Sequence, residues 1–190
     1  MTETSTGAEY ISEAHVRHIM RYVQARDWLT NEKMIADAAC GTGYGSKLLW
    51  NQNRMIVGLD FNDIAINEAR KTATETILFI KTDLIERQIR NFDAVVCIET
   101  IEHVSALDGL NILTNFYRWL PLGGTLIIST PYCTHSGPSP ITKQHLWEYS
   151  LTDFEQALVQ AGFSVEVIKT ERHEGQAGRL GYAMAKAIKQ

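Results

Sequence analysis

The sequence predicts a doubly wound α/β protein, built on a mostly parallel β-sheet with helices on both faces. Short apolar runs alternate along the chain with segments of helical period. The apolar runs are nearly continuous, as expected for strands that are buried on both faces. Strand–helix alternation of this kind favours a parallel sheet. The last third ends instead in two alternating segments, which predict a hairpin and therefore an antiparallel edge.

The first predicted element is an amphipathic helix over residues 11–29, where apolar residues recur at roughly helical spacing. We expect this helix to cover the ligand site as a lid, with Tyr10 or His15 on its inner side. Strands are then predicted at 34–38, 56–59, 77–80, 93–98 and 125–129. Helices are predicted between them at 44–51, 64–72 and 106–120.

The C-terminal part begins after a long irregular loop at 131–140, which we expect on the substrate side. A helix is predicted at 152–161, ending at Gly162. Strands at 163–169 and 180–188 follow, joined by a polar loop at 170–179. These two strands form the predicted hairpin.

Length and composition indicate a single globular domain. The 190 residues allow one sizeable core and are too few for two ordinary domains with a linker. We therefore expect one domain over 1–190, with 1–30 as a helical cap and 31–190 as the core. The net charge of −4 argues against a protein whose main role is to grip nucleic-acid backbone.

The cysteines and the apolar segments favour a cytoplasmic protein. Cys40, Cys97 and Cys133 are odd in number and form no CxxC pair. The N-terminal residues 1–9 lack the basic start and apolar stretch of a secretion signal. No uncharged apolar run approaches the roughly 18–20 residues that a membrane span needs.

A glycine-rich loop over 35–46, with the sequence IADAACGTGYGS, follows a predicted strand and opens a predicted helix. Glycines allow a tight turn and close approach of a ligand. A dinucleotide fold needs G-x-G-x-x-G, but Ser46 stands where the third glycine would be. A P-loop would end in Gly-Lys-Ser or Gly-Lys-Thr, which is absent. Asp37 before the loop would repel a diphosphate and suits a ligand with a cationic amino group.

Two further acids follow the next two strands. Asp60 ends the second strand, where a carboxylate can accept hydrogen bonds from both hydroxyls of a ribose. Asp83 follows the third strand and could accept from an adenine amino group, or it could cap a helix. An amine, a ribose and an adenine together describe S-adenosylmethionine. Ligands of open α/β sheets bind at the carboxyl ends of the strands, where these acids lie.

In these motifs the chain resembles the class I S-adenosylmethionine-dependent methyltransferases. The resemblance rests on DAACGTGYG at 37–45, LD at 59–60, TDL at 82–84, FDAVVCIETIEHV at 92–104 and LPLGGTL at 120–126. It implies a Rossmann-like core with a seven-stranded sheet whose C-terminal strand is antiparallel. Ala39 departs from the family's loop, which often has Gly there, and this change should not block the cofactor.

The cofactor-binding residues that this resemblance and the motif positions imply share one edge of the predicted sheet. They are Asp37, Ala39, Gly41, Gly43, Tyr44, Asp60, Phe61, Thr82, Asp83, Leu84 and Glu99. An alternative for Asp37 and Asp60 is that they only cap helices, and Tyr44 could be no more than a residue of the first helical turn.

The catalytic candidates follow the fourth strand, where the transferred methyl group would lie. We expect Glu102 to orient His103, and either His103 or His145 to act as general base on a hydroxyl group. The alternative is a metal site formed by Glu99, Glu102, His103 and His145. The pattern E-x-x-E-H followed by H-x-x-E is similar to that of small-RNA 2′-O-methyltransferases, which hold magnesium or manganese. The sequence does not favour a metal, because many metal-free members share E-x-x-E-H.

The sequence as a whole predicts a methyltransferase that acts on oxygen of a small molecule or sugar, as a monomer or homodimer. A metal-dependent RNA 2′-O-methyltransferase is the first alternative, and the acidic net charge weakens it. A non-catalytic, cofactor-binding partner subunit is the second. The polar residues Asp37, Asp60 and those at 99–103 argue against this alternative, because a site without catalytic activity would not need them.

Overall fold

The computed structural model describes residues 13–86, 91–139, 141–172 and 179–190. Of the predicted lid, Tyr10 and residues 11–12 lie outside the described part, as does the side chain of His15. Residues 173–178 of the predicted hairpin loop and Pro140 also lie outside it.

Helices and strands alternate along the chain as the sequence predicts. The helices are α1 Glu13–Trp28, α2 Tyr44–Leu49, α3 Asp63–Arg70, α4 Ala106–Trp119 and α5 Leu151–Gln160. The strands are β1 Met34–Ala38, β2 Met55–Asp60, β3 Ile77–Lys81, β4 Ala94–Ile98, β5 Thr125–Cys133, β6 Tyr149–Ser150, β7 Phe163–Arg172 and β8 Arg179–Lys189. A single 3₁₀ turn, Ile101–His103, follows β4. None of the helices in the described ranges combines the length and apolar character that crossing a bilayer requires.

The strands form one sheet in the order β3-β2-β1-β4-β5-β8-β7. All neighbours from β3 to β5 are parallel, whereas β8 is antiparallel to both β5 and β7. The predicted fold class and antiparallel C-terminal strand are therefore confirmed. Strands β1, β4 and β5 lie in the interior of the sheet, and this position explains their almost unbroken burial.

The fifth strand is longer than predicted, and the predicted start of the following loop at 131 is wrong. β5 continues through Pro131 to Cys133, where β8 pairs with it on one side. The two-residue strand β6 pairs with Tyr132 and Cys133 on the other side, in parallel. Proline usually marks an edge or an irregular segment. Here β6 and β8, which are distant in sequence from β5, pair with its two sides and extend the strand beyond Pro131.

Helix α1 packs onto the sheet through a buried stripe that includes Tyr22, Ala25 and Leu29. Gly45, in the first turn of α2, allows this packing. A Cβ atom on Gly45 would overlap the ring of Tyr22. The two helices can approach each other closely only because this position has no side chain.

We predict that Gly45→Ala destabilises the protein, because the added methyl group overpacks the contact between α1 and α2. Overpacking costs about 1–3 kcal/mol, which exceeds the gain of about 1 kcal/mol that Ala brings inside a helix. Urea unfolding measures the difference in free energy. Gly137→Ala is the matched control, since no heavy atom lies within 4 Å of its added Cβ. Equal stability of the two variants would contradict the proposed packing constraint.

Candidate active site

A cavity of about 430 Å³ opens at the carboxyl ends of β2 and β4, next to the glycine loop. Its polar lining consists of Asp60, Asp83, Glu99, Thr100 and His103. Its apolar lining consists of Ala39, Phe61, Leu84, Ile85, Val104 and Ile112. An apolar cavity with a few convergent polar groups is the usual form of a small-molecule site.

The glycine loop passes the cavity in a left-handed conformation. Ala39, Gly41 and Gly43 have φ angles of 60°, 54° and 82°. A Cβ on Gly43 would lie 2.5 Å from the ring of Phe79, so this glycine is needed for packing. A Cβ on Gly41 would meet no heavy atom within 4 Å, so space for a ligand exists beside it. Ala39 adopts this conformation at a steric cost that glycine would not carry.

The carboxylate of Asp60 is held at the end of β2 by backbone donors. Its Oδ2 accepts a hydrogen bond from the N–H of Gly41 at 2.8 Å, and its Oδ1 accepts one from the N–H of Asn62 at 2.9 Å. Each carboxylate oxygen can accept a second hydrogen bond. The group is therefore rigid and retains accepting capacity toward the cavity.

Asp37 is fully buried and lies outside the cavity lining described above. Its Oδ1 accepts a hydrogen bond from the hydroxyl of Tyr22 at 3.0 Å, and its Oδ2 accepts one from Ser46 at 2.6 Å. Burial raises the pKa of Asp37 to about 7, although both hydrogen bonds act in the opposite direction. Asp37 therefore joins α1 and α2 to the end of β1.

Tyr44 belongs to an aromatic cluster on the same side of the sheet. Its hydroxyl is hydrogen-bonded to Nδ1 of His18. The rings of His18, Tyr22 and Tyr44 have centroids 5.4 to 5.8 Å apart. Burial raises the pKa of Tyr44, with the nearby Asp37 carboxyl as the second cause. These contacts tie the first turn of α2 to α1.

Glu99 follows β4 in a strained backbone conformation, with a φ angle of 52°. Its Oε1 accepts a hydrogen bond from Ser129 at 2.8 Å and lies 3.6 Å from Nε of Arg21. The Arg21 guanidinium stacks on the ring of Tyr182, 3.8 Å from its centroid. Sequence reasoning missed Arg21. The sequence signal that could have found it is the position of this charged residue one helical turn before Ala25, on the apolar face of the predicted first helix.

The segment after β3 forms one wall of the cavity. Thr82 is buried, and its N–H donates to the carbonyl oxygen of Asp60 at 2.8 Å. Asp83 accepts a hydrogen bond from the N–H of Ile85, so its carboxylate also closes a local turn. The side-chain amide of Asn115, in α4, donates to the carbonyl oxygens of Leu84, Ile85 and Glu86 at 2.9 to 3.1 Å. Asn115 thus fixes this wall, and no sequence motif indicated it.

Three of the four candidate metal ligands meet beside the cavity. Glu102, His103 and His145 each present one ligand atom, and these atoms all lie within 4.8 Å of one another. The two imidazole rings have centroids 4.9 Å apart and are nearly perpendicular, at 86°. Glu99 is not part of this group, because its positive φ precedes the 3₁₀ turn and its carboxylate faces Arg21 and Ser129.

Hydrogen bonds orient both histidines of this cluster. Nδ1 of His103 lies 3.0 Å from the carbonyl oxygen of Gln144, and Nδ1 of His145 lies 2.8 Å from Oε1 of the buried Glu148. A carbonyl or carboxylate oxygen can only accept, so each Nδ1 carries the proton. Both rings therefore enter the cluster already held by a donated hydrogen bond.

The structure thus brings seven of the predicted site residues to one cavity. They are Ala39, Asp60, Phe61, Asp83, Leu84, Glu99 and His103. Gly41, Gly43 and Thr82 shape the loops beside it, while Asp37 and Tyr44 hold α1 and α2 together. Sequence reasoning missed four lining residues, the polar Thr100 and the apolar Ile85, Val104 and Ile112. An apolar pattern alone does not distinguish the last three from core residues.

Comparison with known proteins relates the chain to methyltransferases. A family model described as a methyltransferase domain matches residues 35–124. A probable S-adenosylmethionine-dependent methyltransferase from Mycolicibacterium smegmatis is 28% identical over 137 residues, which cover 70% of this chain and 52% of that protein. A ubiquinone biosynthesis O-methyltransferase from Coxiella burnetii is 26% identical over 116 residues, which cover 58% of this chain and 48% of that protein. The chain spans about half the length of these curated relatives.

The fold is similar to that of magnesium protoporphyrin IX methyltransferase from Synechocystis PCC 6803, solved with bound SAH. The TM-score is 0.77 at 18% identity, and the match covers 97% of this chain and 90% of that chain. At this level of identity the likeness shows a shared fold.

We predict that Asp37→Asn changes the pH dependence of stability. The folded pKa of Asp37 is raised from its ordinary 3.8 to about 7, so its contribution to stability is fully present below pH 3.8 and is lost as pH rises through about 7. The variant has no such loss and should gain stability relative to the wild type over this window. The gain is at most roughly 4 kcal/mol, at about 1.4 kcal/mol for each pKa unit.

Urea unfolding at about pH 5 and about pH 8 measures this difference. Asp63→Asn, which removes an exposed carboxylate from α3, controls for the change in net charge. The interpretation fails if the stability gain of Asp37→Asn is the same at both pH values.

Proposed function

We propose that the chain is a class I S-adenosylmethionine-dependent methyltransferase, as its similarity to methyltransferase domains supports, and that it transfers a methyl group from this cofactor to an oxygen atom of a small molecule or sugar. The observation that carries the proposal is the cavity at the strand ends. It combines three carboxylates held by hydrogen bonds, those of Asp60, Asp83 and Glu99, with His103 and with free space beside Gly41.

The residues present fit the cofactor. Asp60 has accepting capacity for the ribose hydroxyls, since its carboxylate is already fixed by two backbone N–H groups. Leu84, Ile85 and Ile112 offer an apolar surface of the kind that an adenine ring needs. Asp83, beside them, is the candidate acceptor for the adenine amino group.

A different carboxylate from the expected one suits the amino group of the cofactor. Asp37 already accepts hydrogen bonds from Tyr22 and Ser46 and is fully buried. Glu99 lines the cavity, and its Oε1 is held in place by Ser129 and Arg21. In this proposal Glu99 receives the ammonium group, and Asp37 acts indirectly by fixing the glycine loop.

The acceptor end of the cavity contains groups suited to a hydroxyl. When bound, the cofactor supplies an electrophilic methyl group on a sulfonium sulfur, so alignment of the acceptor provides much of the rate. A hydroxyl must also give up its proton as it is methylated. In this proposal His103 or His145, both held through Nδ1, takes that proton. Methylation of oxygen needs such activation more than methylation of a neutral amine does.

The net charge and the cysteines support two further parts of the proposal, the class of acceptor and the cellular compartment. The net charge of −4 favours a small acceptor over a nucleic acid. The three cysteines are free and buried, as in proteins of a reducing compartment, so we propose a cytoplasmic enzyme.

We predict that Asp60→Asn weakens the binding of S-adenosylhomocysteine, because a neutral amide loses the charge-assisted bonds to the ribose. Hydrogen bonds to charged groups contribute about 1.5–3 kcal/mol, which corresponds to roughly a 10- to 100-fold loss of affinity. Calorimetry measures the affinity, and thermal unfolding checks that the variant is folded. Asp63→Asn, three residues later on the exposed face of α3, should bind normally. Unchanged affinity in Asp60→Asn would exclude the ribose role.

A screen with methyl-labelled cofactor tests the reaction. Phenols, sugars, amines and RNA are compared as acceptors, and the product is analysed for O-methyl and N-methyl groups. We expect label on oxygen of a small acceptor, and His103→Ala should lower turnover without changing affinity for S-adenosylhomocysteine. Label found only on nitrogen, or only on RNA, would refute the proposed acceptor class.

A further inference from the structure

We propose that a second cavity, between α1 and the strands β7 and β8, binds a small organic acid through its carboxylate. The cavity has a volume of about 310 Å³. Its positively charged lining groups are Arg21 of α1 and Lys169 of β7. Its apolar lining includes Met20, Val23, Ala183 and Met184. An apolar surface with two cations fits an anion that has an apolar body.

The guanidinium of Arg21 is a buried cation whose hydrogen-bonding capacity is not used in full. The side chain is 7% exposed, and its Nε makes no hydrogen bond with any described residue. The ion pair of this Nε with Oε1 of Glu99 spans 3.6 Å, which is too long for a hydrogen bond. Stacking on the ring of Tyr182 stabilises the cation but accepts no N–H in the ring plane. A buried donor without an acceptor is costly, and a carboxylate offers arginine two acceptor oxygens.

Lys169 places a second cation at the same cavity. Its Nζ donates a hydrogen bond to Oε1 of Gln24 at 2.8 Å and lies 5.3 Å from the ring centroid of Trp28. Both partners are neutral, and no carboxylate of the described residues forms an ion pair with Lys169. Its charge is therefore available to an anion in the cavity.

The two carboxylates that line the cavity are each paired with a cation outside the lining. Asp27 forms an ion pair with Arg26 at 3.1 Å, and Glu171 forms one with Arg17 at 3.8 Å. The charge that a ligand meets is thus set mainly by the two lining cations. Charge complementarity favours an anion over a neutral or cationic molecule of the same shape.

Glu99 connects this cavity with the first one, because it lines the first cavity and pairs with Arg21 of the second. The strand pairing places the two cavities side by side. Met184 of β8 lies opposite Ser129 of β5, and the Ser129 hydroxyl donates to Glu99. An acid held by Arg21 is therefore next to the proposed site of methyl transfer. We expect the methyl acceptor to be a hydroxy acid, a role that rests on the proposed function, whereas acid binding itself does not.

The shared carboxylate also predicts that cofactor and acid bind cooperatively. In the proposed function the ammonium group of the cofactor binds Glu99. This second cation weakens the attraction between Glu99 and Arg21, so the guanidinium becomes available to the carboxylate of the acid. Coupling of two binding sites is reciprocal, so each ligand should increase the affinity of the other.

Calorimetry on the full chain with saturating S-adenosylhomocysteine tests the site. The probes are hydroxyphenylacetate, hydroxyphenylpropionate and hydroxyoctanoate, each compared with its uncharged amide. We expect at least one acid to bind roughly 10- to 100-fold more tightly than its amide, as hydrogen bonds to a charged group do. Arg21→Met should abolish this preference, and Lys169→Met should reduce it. Arg21→Lys should restore it in part, because lysine keeps the charge but not the planar fork.

Lys71→Met is the matched control, since Lys71 is an exposed lysine at the end of α3 that pairs with Glu68 and does not line the cavity. It should keep the full preference for the acid. Titration of S-adenosylhomocysteine into every variant, with thermal unfolding, shows which variants are folded. If Arg21→Met does not fold, Lys169→Met and Arg21→Lys carry the test, and an undiminished preference in both overturns the site.

Three results with folded protein would also overturn the site. They are the absence of binding by all three acids, equal binding of acids and amides, or a preference for the acid that survives in Arg21→Met. A loss of S-adenosylhomocysteine affinity in Arg21→Met as large as the loss of acid affinity would assign Arg21 to the cofactor instead. Methyl transfer to neutral acceptors without any preference for acids refutes only the acid site. Acid binding with no methyl transfer to any acceptor refutes only the proposed function.

Discussion

The site depends on one buried carboxylate, that of Asp37. Ionising a carboxyl group in the interior is costly, and burial raises its pKa to about 7. The hydroxyls of Tyr22 and Ser46 offset part of that cost, and they come from α1 and α2. Both helices must therefore be in place for the group to be satisfied. The same group fixes the start of the glycine loop, so the docking of α1 and the shape of the ligand site are coupled.

The cavity walls are held in place by hydrogen bonds between backbone and side chains, and some of these involve residues that the sequence did not indicate. Asp60 receives N–H groups from the loop and from the start of α3, and this links β2 to the glycine loop. Asn115 reaches from α4 to three carbonyl groups of the opposite wall. The positions of the lining groups are thus set before any ligand enters, which lowers the conformational cost of binding.

The two ends of the cavity have different chemical character. Near the loop, carboxylates and apolar side chains suit a cationic, ribose- and adenine-containing molecule. At the other end, Glu102, His103 and His145 form a cluster of nitrogen and oxygen donors with the histidine Nδ1 atoms already engaged. Group transfer needs one partner to supply an electrophile and the other a nucleophile, and this division is consistent with such a reaction.

The sequence alone determined the α/β class, the strands β1 to β4 and the acids at their ends, because these features depend on short apolar runs and on local turn residues. It also indicated the cofactor, since the spacing around Asp37, Asp60 and Asp83 is set by the strand ends. Tertiary structure decided the rest. The extension of β5 past Pro131 needed pairing with β6 and β8. The engagement of Asp37 with Tyr22, and the meeting of His103 with His145, join groups from distant segments. Such contacts arise from how the elements pack, which no local pattern records.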